Sequence, residues 1–459
     1  MVGPPPEPGE APLLKRQIGL YAATAITVGS IIGSGIFRSP HSVAQELTSP
    51  VWALLAWVLG GILSLCGSLA LAEMAVTHPR TGGLYVFIRE SFGDRLAFIF
   101  GWASLWVIKP TVIASIASVF ATYFCQAVGL GKGIEFLAGF AAITLLTLVN
   151  LLGVKQGTRT QTVFTTLKVL GILGLCLAAF LLPHAGPPAG QVLNEPHRGH
   201  PFLLAFAFAM IPIFFAYDGW TDSTYVGGEI VNPARNFPIA ILGGTLLVVL
   251  VYVITNTAYF SVLSPGEVAT YEAVGAETMR RILGDWGGRA LAVLVAVSTF
   301  GTVNASILTG PRVTLAMAAD GLFWKRAAHV NVNRGTPDVA LWIQGALATV
   351  WLWFAGGFED VSGWFVTTSW LFYGLTIAGL FMYRRKERAG FIERPSYRTP
   401  LFPLTPLLFI LVTVAIVASD LSSSGWRAAA GVLVAALGFP FSYIWTRRSA
   451  RSAVPQRRP

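Results

Sequence analysis

Charged residues are scarce in this chain of 459 residues, since Asp, Glu, Lys and Arg make up only 12% of it. A soluble domain usually has roughly 25%. Cysteine is also rare: Cys66, Cys125 and Cys176 stand at unrelated spacings in or near hydrophobic runs, which argues against a metal cluster or a disulfide framework. We therefore expect no metal site and no cofactor. Residues 1–14 are Pro-rich and acidic rather than basic and then apolar, which is typical of a disordered tail and not of a signal peptide.

Hydrophobic residues, by contrast, form 54% of the chain. Apolar runs of about 20 residues, long enough to cross a hydrocarbon core of roughly 30 Å, recur along its whole length. They predict an all-α membrane protein, and an even number of spans places both termini on one side. The twelve predicted spans are residues 17–46, 51–76, 95–127, 134–153, 160–182, 201–227, 237–263, 287–317, 337–356, 361–384, 403–420 and 426–446.

The basic residues indicate the orientation. Of the 32 Lys and Arg residues, 23 fall on the side of the N-terminus, 7 on the opposite side, and Lys109 and Lys168 within spans. Positive charge collects on the cytoplasmic side, so we expect a multi-pass protein of the plasma membrane with both termini in the cytoplasm. The net charge of +10 then reflects topology rather than nucleic-acid binding. The basic tail, residues 448–459, is expected to contact anionic lipid headgroups.

Three glycines interrupt the first span in Gly-Ser-Ile-Ile-Gly-Ser-Gly-Ile-Phe, residues 29–37. Glycine weakens a helix by about 1 kcal/mol relative to alanine, so Gly33-Ser34-Gly35 predicts a break. A broken membrane helix offers free carbonyls where the first half ends and free N–H groups where the second begins. These two poles suit the ammonium and the carboxylate of a zwitterion. Transporters use such breaks in pairs, and the sixth span supplies a second at Tyr217-Asp218-Gly219.

The two breaks each open a block of five spans, and five is odd, so the second block must enter the membrane from the opposite side. This parity predicts inverted repeats. The repeats would cover about residues 15–184 and 200–386 of a transporter core at residues 15–400. Spans 11 and 12, residues 401–447, are appended to that core.

The predicted site lies where the breaks meet. We expect the N–H groups near Ser34 and Gly35 and the Ser34 hydroxyl to bind a carboxylate, and carbonyls around Ile31, Phe215 and Asp218 to bind an amine. Phe215 could also close over the substrate as a gate. The alternative is that the glycines only allow close helix packing. The full set of candidate binding residues is Ile31, Gly33, Ser34, Gly35, Phe215, Ala216 and Asp218.

Two lysines within spans are further candidates. Lys168, midway along span 5, costs roughly 2.5–3.5 kcal/mol to insert, which favours a functional role. Its ammonium could replace a bound cation at the carbonyls freed in span 1, or it could bind and release a proton during transport; a stem reaching the membrane surface is the alternative. Lys109 precedes Pro110, which frees a carbonyl one turn earlier. Its ammonium could satisfy that carbonyl, which is a structural role, or bind substrate in the pocket. Asp218 could favour a cationic group or merely cap a half-helix.

Several motifs, in this order along spans 1 to 8, resemble the L-type amino acid transporter family of the amino acid–polyamine–organocation superfamily. They are Gly-Ser-Ile-Ile-Gly-Ser-Gly-Ile-Phe at 29–37, Pro-Arg-Thr-Gly-Gly-Leu-Tyr at 79–85, Lys109-Pro110, Lys168, Phe-Ala-Tyr-Asp-Gly-Trp at 215–220, Asn-Pro-Ala-Arg-Asn-Phe-Pro at 232–238 and Gly-Thr-Val-Asn at 301–304. The last motif adds Asn304 as a pocket or structural candidate. Spans 9 to 12 match by hydropathy alone.

This resemblance implies a LeuT-type fold with discontinuous helices 1 and 6, alternating access and sodium-independent exchange, with Lys168 in the place of a sodium ion. Two features depart from the family. Its paired acidic residues after span 6 appear here as Gly228-Glu229, and Cys125 does not stand in the motif that links an ancillary glycoprotein. We therefore expect a stand-alone light chain of the bacterial type, without a disulfide-linked heavy subunit.

The sequence thus predicts an antiporter that exchanges L-amino acids, small and neutral ones, across the plasma membrane. The alternative is a proton-coupled amino acid symporter in which Lys168 titrates. An enzyme is disfavoured, because Lys109, Lys168, Asp218 and a peripheral Glu73 are poor equipment for catalysis within a membrane. A nutrient receptor without transport is a remote possibility, since the chain offers no soluble signalling domain.

Overall fold

The computed structural model describes residues 14–184, 186, 200–331, 333–354, 358–424 and 426–452. The described residues form helices and isolated β-bridges. Of the two predicted tails, residues 1–13 and 453–459 lie outside the described residues, whereas Leu14 is described and buried.

Among the described residues, ten helices, α1 to α10, lead up to and just past the second predicted break. They are Leu20–Ile31, Gly35–Glu46, Pro50–Thr77, Leu84–Phe92, Asp94–Ala103, Lys109–Val128, Glu135–Leu151, Val154–Leu181, Phe202–Ala216 and Asp222–Tyr225. The described part of the remaining chain has nine more, α11 to α19: Pro233–Pro238, Gly244–Val262, Pro265–Val268, Val274–Thr309, Pro311–Ala319, Asp338–Phe354, Phe358–Arg388, Leu404–Ser424 and Trp426–Ser452.

Within the part of the chain that the structure describes, six helical stretches are long and apolar enough to cross a membrane: Leu20–Glu46, Pro50–Thr77, Asp94–Val128, Val154–Leu181, Pro233–Val262 and Val274–Ala319. The same described residues also contain five shorter apolar helices, at Glu135–Leu151, Phe202–Ala216, Asp338–Phe354, Leu404–Ser419 and Ala430–Tyr443. Many of their leucines and tryptophans are exposed at the outer surface, as expected of side chains that face lipid. The expected helical membrane protein is thus confirmed at this coarser level.

Both predicted breaks are present, and they lie against each other. The first separates α1 from α2 at residues 32–34, and the second separates α9 from α10 at residues 217–221. A Cβ added at Gly35 would stand 2.6 Å from Ala216 Cα, and one at Gly219 would stand 2.6 Å from the Ser30 carbonyl carbon. Gly219 also has a φ of +115°, which side chains rarely adopt. Each break therefore needs its glycine, because a side chain there would prevent the other break from approaching so closely.

Helix α5 joins α6 through a π-helical turn at Ser104–Ile108, just before Pro110. Proline has no N–H, so the carbonyl four residues earlier, at Trp106, loses its helical donor. The indole N–H of Trp351 donates to that carbonyl at 2.9 Å, whereas Lys109 Nζ donates to Asp222. The expectation that Lys109 satisfies the carbonyl freed by Pro110 is therefore wrong, because an indole from α16 already does so.

The segment before α1 is fastened to the end of the second broken helix. Ile18 and Ile230 form a parallel bridge, and the N–H groups of Gln17 and Ile18 donate to Glu229 O at 2.8 and 2.9 Å. The Glu229 carboxylate accepts from Arg312 Nε at 3.0 Å, and both side chains are at most 1% exposed. Arg312 is therefore a buried residue of α15 whose charge is paired within the protein.

Candidate functional site

A cavity lies at the meeting point of the two breaks and is closed on its other sides by α6, α14 and α17. Six of the seven predicted binding residues line it, and Ala216 stands directly behind Gly35. The lining residues are Ser30, Ile31, Gly33, Ser34, Gly35, Ile108, Lys109, Val112, Ile116, Phe215, Asp218, Gly219, Asp222, Tyr225, Thr302, Ser306, Phe365 and Tyr373. Lys168 and Asn304 are not among them.

The carbonyls at the end of α1 hold the Lys168 ammonium. Lys168 is fully buried in α8, and its Nζ donates to Gly29 O at 2.9 Å and to Ile32 O at 2.5 Å. A third bond goes to Thr302 Oγ1 at 2.8 Å. An ammonium has three donors and no acceptor, so three oxygen acceptors match it fully. The break in the first span is thus held by a cation that belongs to the chain itself.

Tyr252 in α12 contacts the ends of both α1 and α9, which are the first halves of the two broken helices. Its hydroxyl lies 3.0 Å from Ile31 O and 3.1 Å from Ala216 O, within donating distance of either carbonyl. Phe215 O accepts the N–H of Asp218 at 3.2 Å. Phe215 O and one of the two carbonyls near Tyr252 are therefore already hydrogen-bonded. The sequence assigned these carbonyls to an amine, and each can still accept a further bond, because a carbonyl oxygen has two lone pairs.

The start of α2 forms the opposite pole. The first N–H groups of a helix have no partner within it, and α2 begins at Gly35. The hydroxyls of Ser34 and Ser30 are buried, line the cavity and have no hydrogen-bond partner. Unpaired buried hydroxyls are costly, so they favour a polar ligand at this point. The positive end of the α2 dipole would favour an anionic group there.

The ring of Phe215 borders the cavity from α9 and stands edge-on to Phe365, with ring centroids 6.5 Å apart. It is half-buried. By contrast, Tyr217 and Trp220, the other aromatic residues of this motif, are each 1% exposed and pack within the core. Phe215 is therefore the ring of this motif that borders the cavity.

A charged cluster lies on the side of the cavity formed by α6 and α10. Lys109 Nζ donates to Asp222 Oδ1 at 2.8 Å, and the two side chains are only 8% and 7% exposed. Thr309 donates to Asp222 Oδ2 at 3.2 Å, and the ammonium stands 4.4 Å from the centroid of the Tyr225 ring. Asp218 is also buried, with Tyr373 in hydrogen-bonding reach and Oδ1 unpaired.

Asn304 lies away from the cavity, in a hydrogen-bond network between α7, α8 and α14. Its Nδ2 donates to Gly157 O at 3.2 Å and to Gln161 Oε1 at 3.0 Å. Its Oδ1 accepts from Asn150 Nδ2 at 2.9 Å. Of the two uses considered for Asn304, these contacts favour the structural one.

Sequence reasoning missed Asp222, Tyr252 and the role of Thr302. Asp222 stands four residues after Asp218, and two carboxylates so close to a predicted break were a usable signal. Thr302 stood in the Gly-Thr-Val-Asn motif, but without an assigned role. Tyr252 is one of 12 tyrosines and nothing around it in the sequence sets it apart. The described residues contain no cluster of His, Cys, Asp and Glu able to hold a metal ion.

Comparison with known proteins adds independent findings. A family model described as amino acid permease matches residues 18–437. The serine/threonine exchanger SteT of Bacillus subtilis (strain 168) is 31% identical over 440 residues, which cover 95% of this chain and 98% of that protein. The human b(0,+)-type amino acid transporter 1 is 33% identical, over 94% of this chain and 88% of its own. The mouse large neutral amino acids transporter small subunit 2 is 36% identical, over 86% and 75%.

Proposed function

Since this chain belongs to the amino acid permease family of the amino acid–polyamine–organocation superfamily, we propose that it is a sodium-independent antiporter of L-amino acids. Its substrates are small and neutral, and it works by alternating access in the plasma membrane with both termini in the cytoplasm. Relatives named as an exchanger and as amino acid transporters support this class. They also confirm the resemblance noted in the sequence.

One observation carries the proposal: the two broken helices meet at a cavity with opposite poles. On one side of the cavity lie the carbonyl groups at the C-terminal ends of α1 and α9. On the other side lie the N-terminus of α2 and the unpaired Ser34 hydroxyl. An amino acid's ammonium and carboxylate fit these poles, with Ile31, Phe215 and Asp218 near the amine. Phe215 then acts as the gate. Because the poles contact only the ammonium and the carboxylate, which all amino acids share, the remaining cavity walls set the preference for a side chain.

Independence from sodium is supported by Lys168. Sodium prefers oxygen ligands, and the oxygens at the α1 break already surround the Lys168 ammonium. The match of the three ammonium donors to three acceptors gives Lys168 a structural role at the break, which supports exchange over proton coupling. One measurement distinguishes exchange from proton coupling. A pH gradient that drives accumulation into liposomes without internal amino acid would select the proton-coupled alternative.

The architecture we propose has twelve spans in a LeuT-type fold, with the core at residues 15–400 and appended spans at 401–447. The paired breaks in α1/α2 and α9/α10 support the inverted repeats. The protein acts without a disulfide-linked heavy subunit. Cys125, near the loop between spans 3 and 4, is buried, a position poorly suited to a link with another chain.

Substitution of Gly35 tests the site. In Gly35→Ala, the new Cβ would collide with the Ala216 backbone at 2.6 Å, so the two breaks must separate. We expect loss of exchange for every amino acid alike, by more than about tenfold, in proteoliposomes loaded with unlabelled substrate. The matched control is Gly174→Ala, because that glycine also lies within a helix but has no atom within 4 Å of an added Cβ. Normal exchange by Gly35→Ala would contradict the proposed site.

A further inference from the structure

We infer that Lys109 and Asp222 form the charge filter of the side-chain subsite, a buried neutral pair that admits uncharged side chains and rejects acidic and basic ones. The inference rests on the proposed exchange of amino acids and adds a selectivity mechanism to it. It is carried by an ion pair at 2.8 Å in the wall of the transport cavity.

The pair is held rigidly from three helices. Lys109 comes from α6, Asp222 from α10, and Thr309 of α14 binds the second oxygen of Asp222. The Tyr225 ring faces the ammonium at 4.4 Å, a distance at which a cation and an aromatic ring attract. With these contacts in place, neither charge can turn away from its partner to meet a charged ligand without breaking several interactions.

Stability alone does not explain the pair. A buried ion pair is often no more stabilising than apolar side chains of similar volume, because removing two charges from water costs as much as their attraction returns. Charged residues within membrane spans usually mark the path of a substrate. The buried pair Glu229–Arg312 gives a useful contrast, since neither of its residues lines the cavity.

The charges around the cavity balance for a neutral side chain. The Lys168 ammonium faces carbonyls behind the cavity wall, and Lys109 cancels Asp222. Asp218 remains, and the substrate's ammonium lies on its side of the cavity. The substrate's carboxylate is met by the start of α2. A charged side chain would add one unbalanced charge in a buried place, which costs far more than a neutral group does.

The wild-type protein provides the first test. Exchange of labelled asparagine is measured in proteoliposomes while unlabelled amino acids compete for the site. Competition by aspartate is compared with that by asparagine, and competition by ornithine with that by glutamine, so that the two members of each pair differ mainly in charge. We expect the charged member to compete at least about tenfold less well, which corresponds to about 1.4 kcal/mol of binding free energy. Equal competition within either pair overturns the inference. Absence of any amino acid exchange would instead contradict the proposed function.

Single substitutions should move the preference in opposite directions. Asp222→Asn leaves Lys109 without its counter-charge. It should raise the aspartate/asparagine ratio, which is the competition by aspartate divided by that of asparagine, about tenfold. Lys109→Gln leaves Asp222 alone and should raise the ornithine/glutamine ratio by a similar factor. The double variant is neutral again and should return both ratios toward those of the wild type. A ratio of two substrates does not depend on expression or overall rate, so a general packing defect would not produce this pattern.

Unchanged ratios in both single variants overturn the inference. If a single variant binds but does not exchange, the same ratios are measured as the thermal stabilisation that each amino acid gives the purified protein. If a single variant does not fold, the inference is tested by the competition measured with the wild-type protein and by the ratios measured with the double variant. A double variant that prefers a charged substrate would contradict the filter.

Discussion

At the scale of single residues, Lys168 is the side chain on which the first break depends. Its three hydrogen bonds join α8 to the carbonyls of Gly29 and Ile32 and to Thr302. Without the ammonium, two buried carbonyls would retain only the Thr302 hydroxyl, which has a single hydrogen to share. An unsatisfied buried acceptor costs about 1–3 kcal/mol.

Lys168→Met keeps an unbranched side chain of similar length but removes all three donors. We expect a loss of about 1–3 kcal/mol in unfolding free energy, seen as a lower melting temperature, and loss of exchange. Lys155→Met is the control, because Lys155 lies on the same helix but is exposed, where substitutions usually change stability by less than about 0.5 kcal/mol. Exchange that survives in Lys168→Met but no longer responds to pH would favour the proton-coupled alternative.

The lysines also show how far single residues can be interpreted from sequence. Both stand out because a cation in an apolar span is costly, but the sequence does not show which partner each one finds. The partner of Lys109 is Asp222, 113 positions away, and local reasoning assigned the ammonium to a nearby carbonyl instead. Tyr252 shows the stronger limit, because its contact with both breaks depends entirely on how α12 packs.

At the scale of elements, the breaks could be predicted because glycine is expensive within a helix, and the pattern of apolar runs located most helices. The π-helical turn at Ser104–Ile108 could not be predicted in the same way. It depends on a tryptophan from α16 that satisfies the carbonyl freed by Pro110. The kink at Gly284 within α14 was also not foreseen, since a single glycine has many uses.

Asn304 stabilises the contact between α7, α8 and α14. In Asn304→Ala, Gly157 O and Gln161 Oε1 lose a donor and Asn150 loses an acceptor. We expect about 1–3 kcal/mol of lost stability, measured as a lower melting temperature, with an unchanged order of preference among substrates. A variant with normal stability and an altered preference would instead place Asn304 in the binding site.

At the scale of the whole molecule, the bridge between Ile18 and Ile230 fastens the segment before α1 to the end of the second broken helix. The buried pair of Glu229 and Arg312 anchors the same point to α15. Alternating access by movement of the two broken helices relative to each other and to their surroundings would require some of these contacts to open. The parity of the spans predicted the general architecture, but this fastening joins segments more than 200 residues apart and carried no sequence signal.

A disulfide across this bridge tests the movement. In the double variant Ile18→Cys with Ile230→Cys, we expect oxidation to stop exchange and a reducing agent to restore it, because the linked segments can no longer separate. The three native cysteines are buried, so the background reaction should be small. The control is Ile18→Cys alone, in which oxidation should have no effect. A cross-linked protein that exchanges at the normal rate would show that these two segments move as one body.

The attachment of Lys168 to the chain has a thermodynamic consequence. An ammonium that is covalently part of α8 cannot cross the membrane with the substrate, so it does not couple transport to an ion gradient. An exchanger without such coupling alters the composition of the amino acid pool inside a cell but not its total size. Its physiological value would lie in trading a surplus compound for a scarce one, with other pumps setting the overall level.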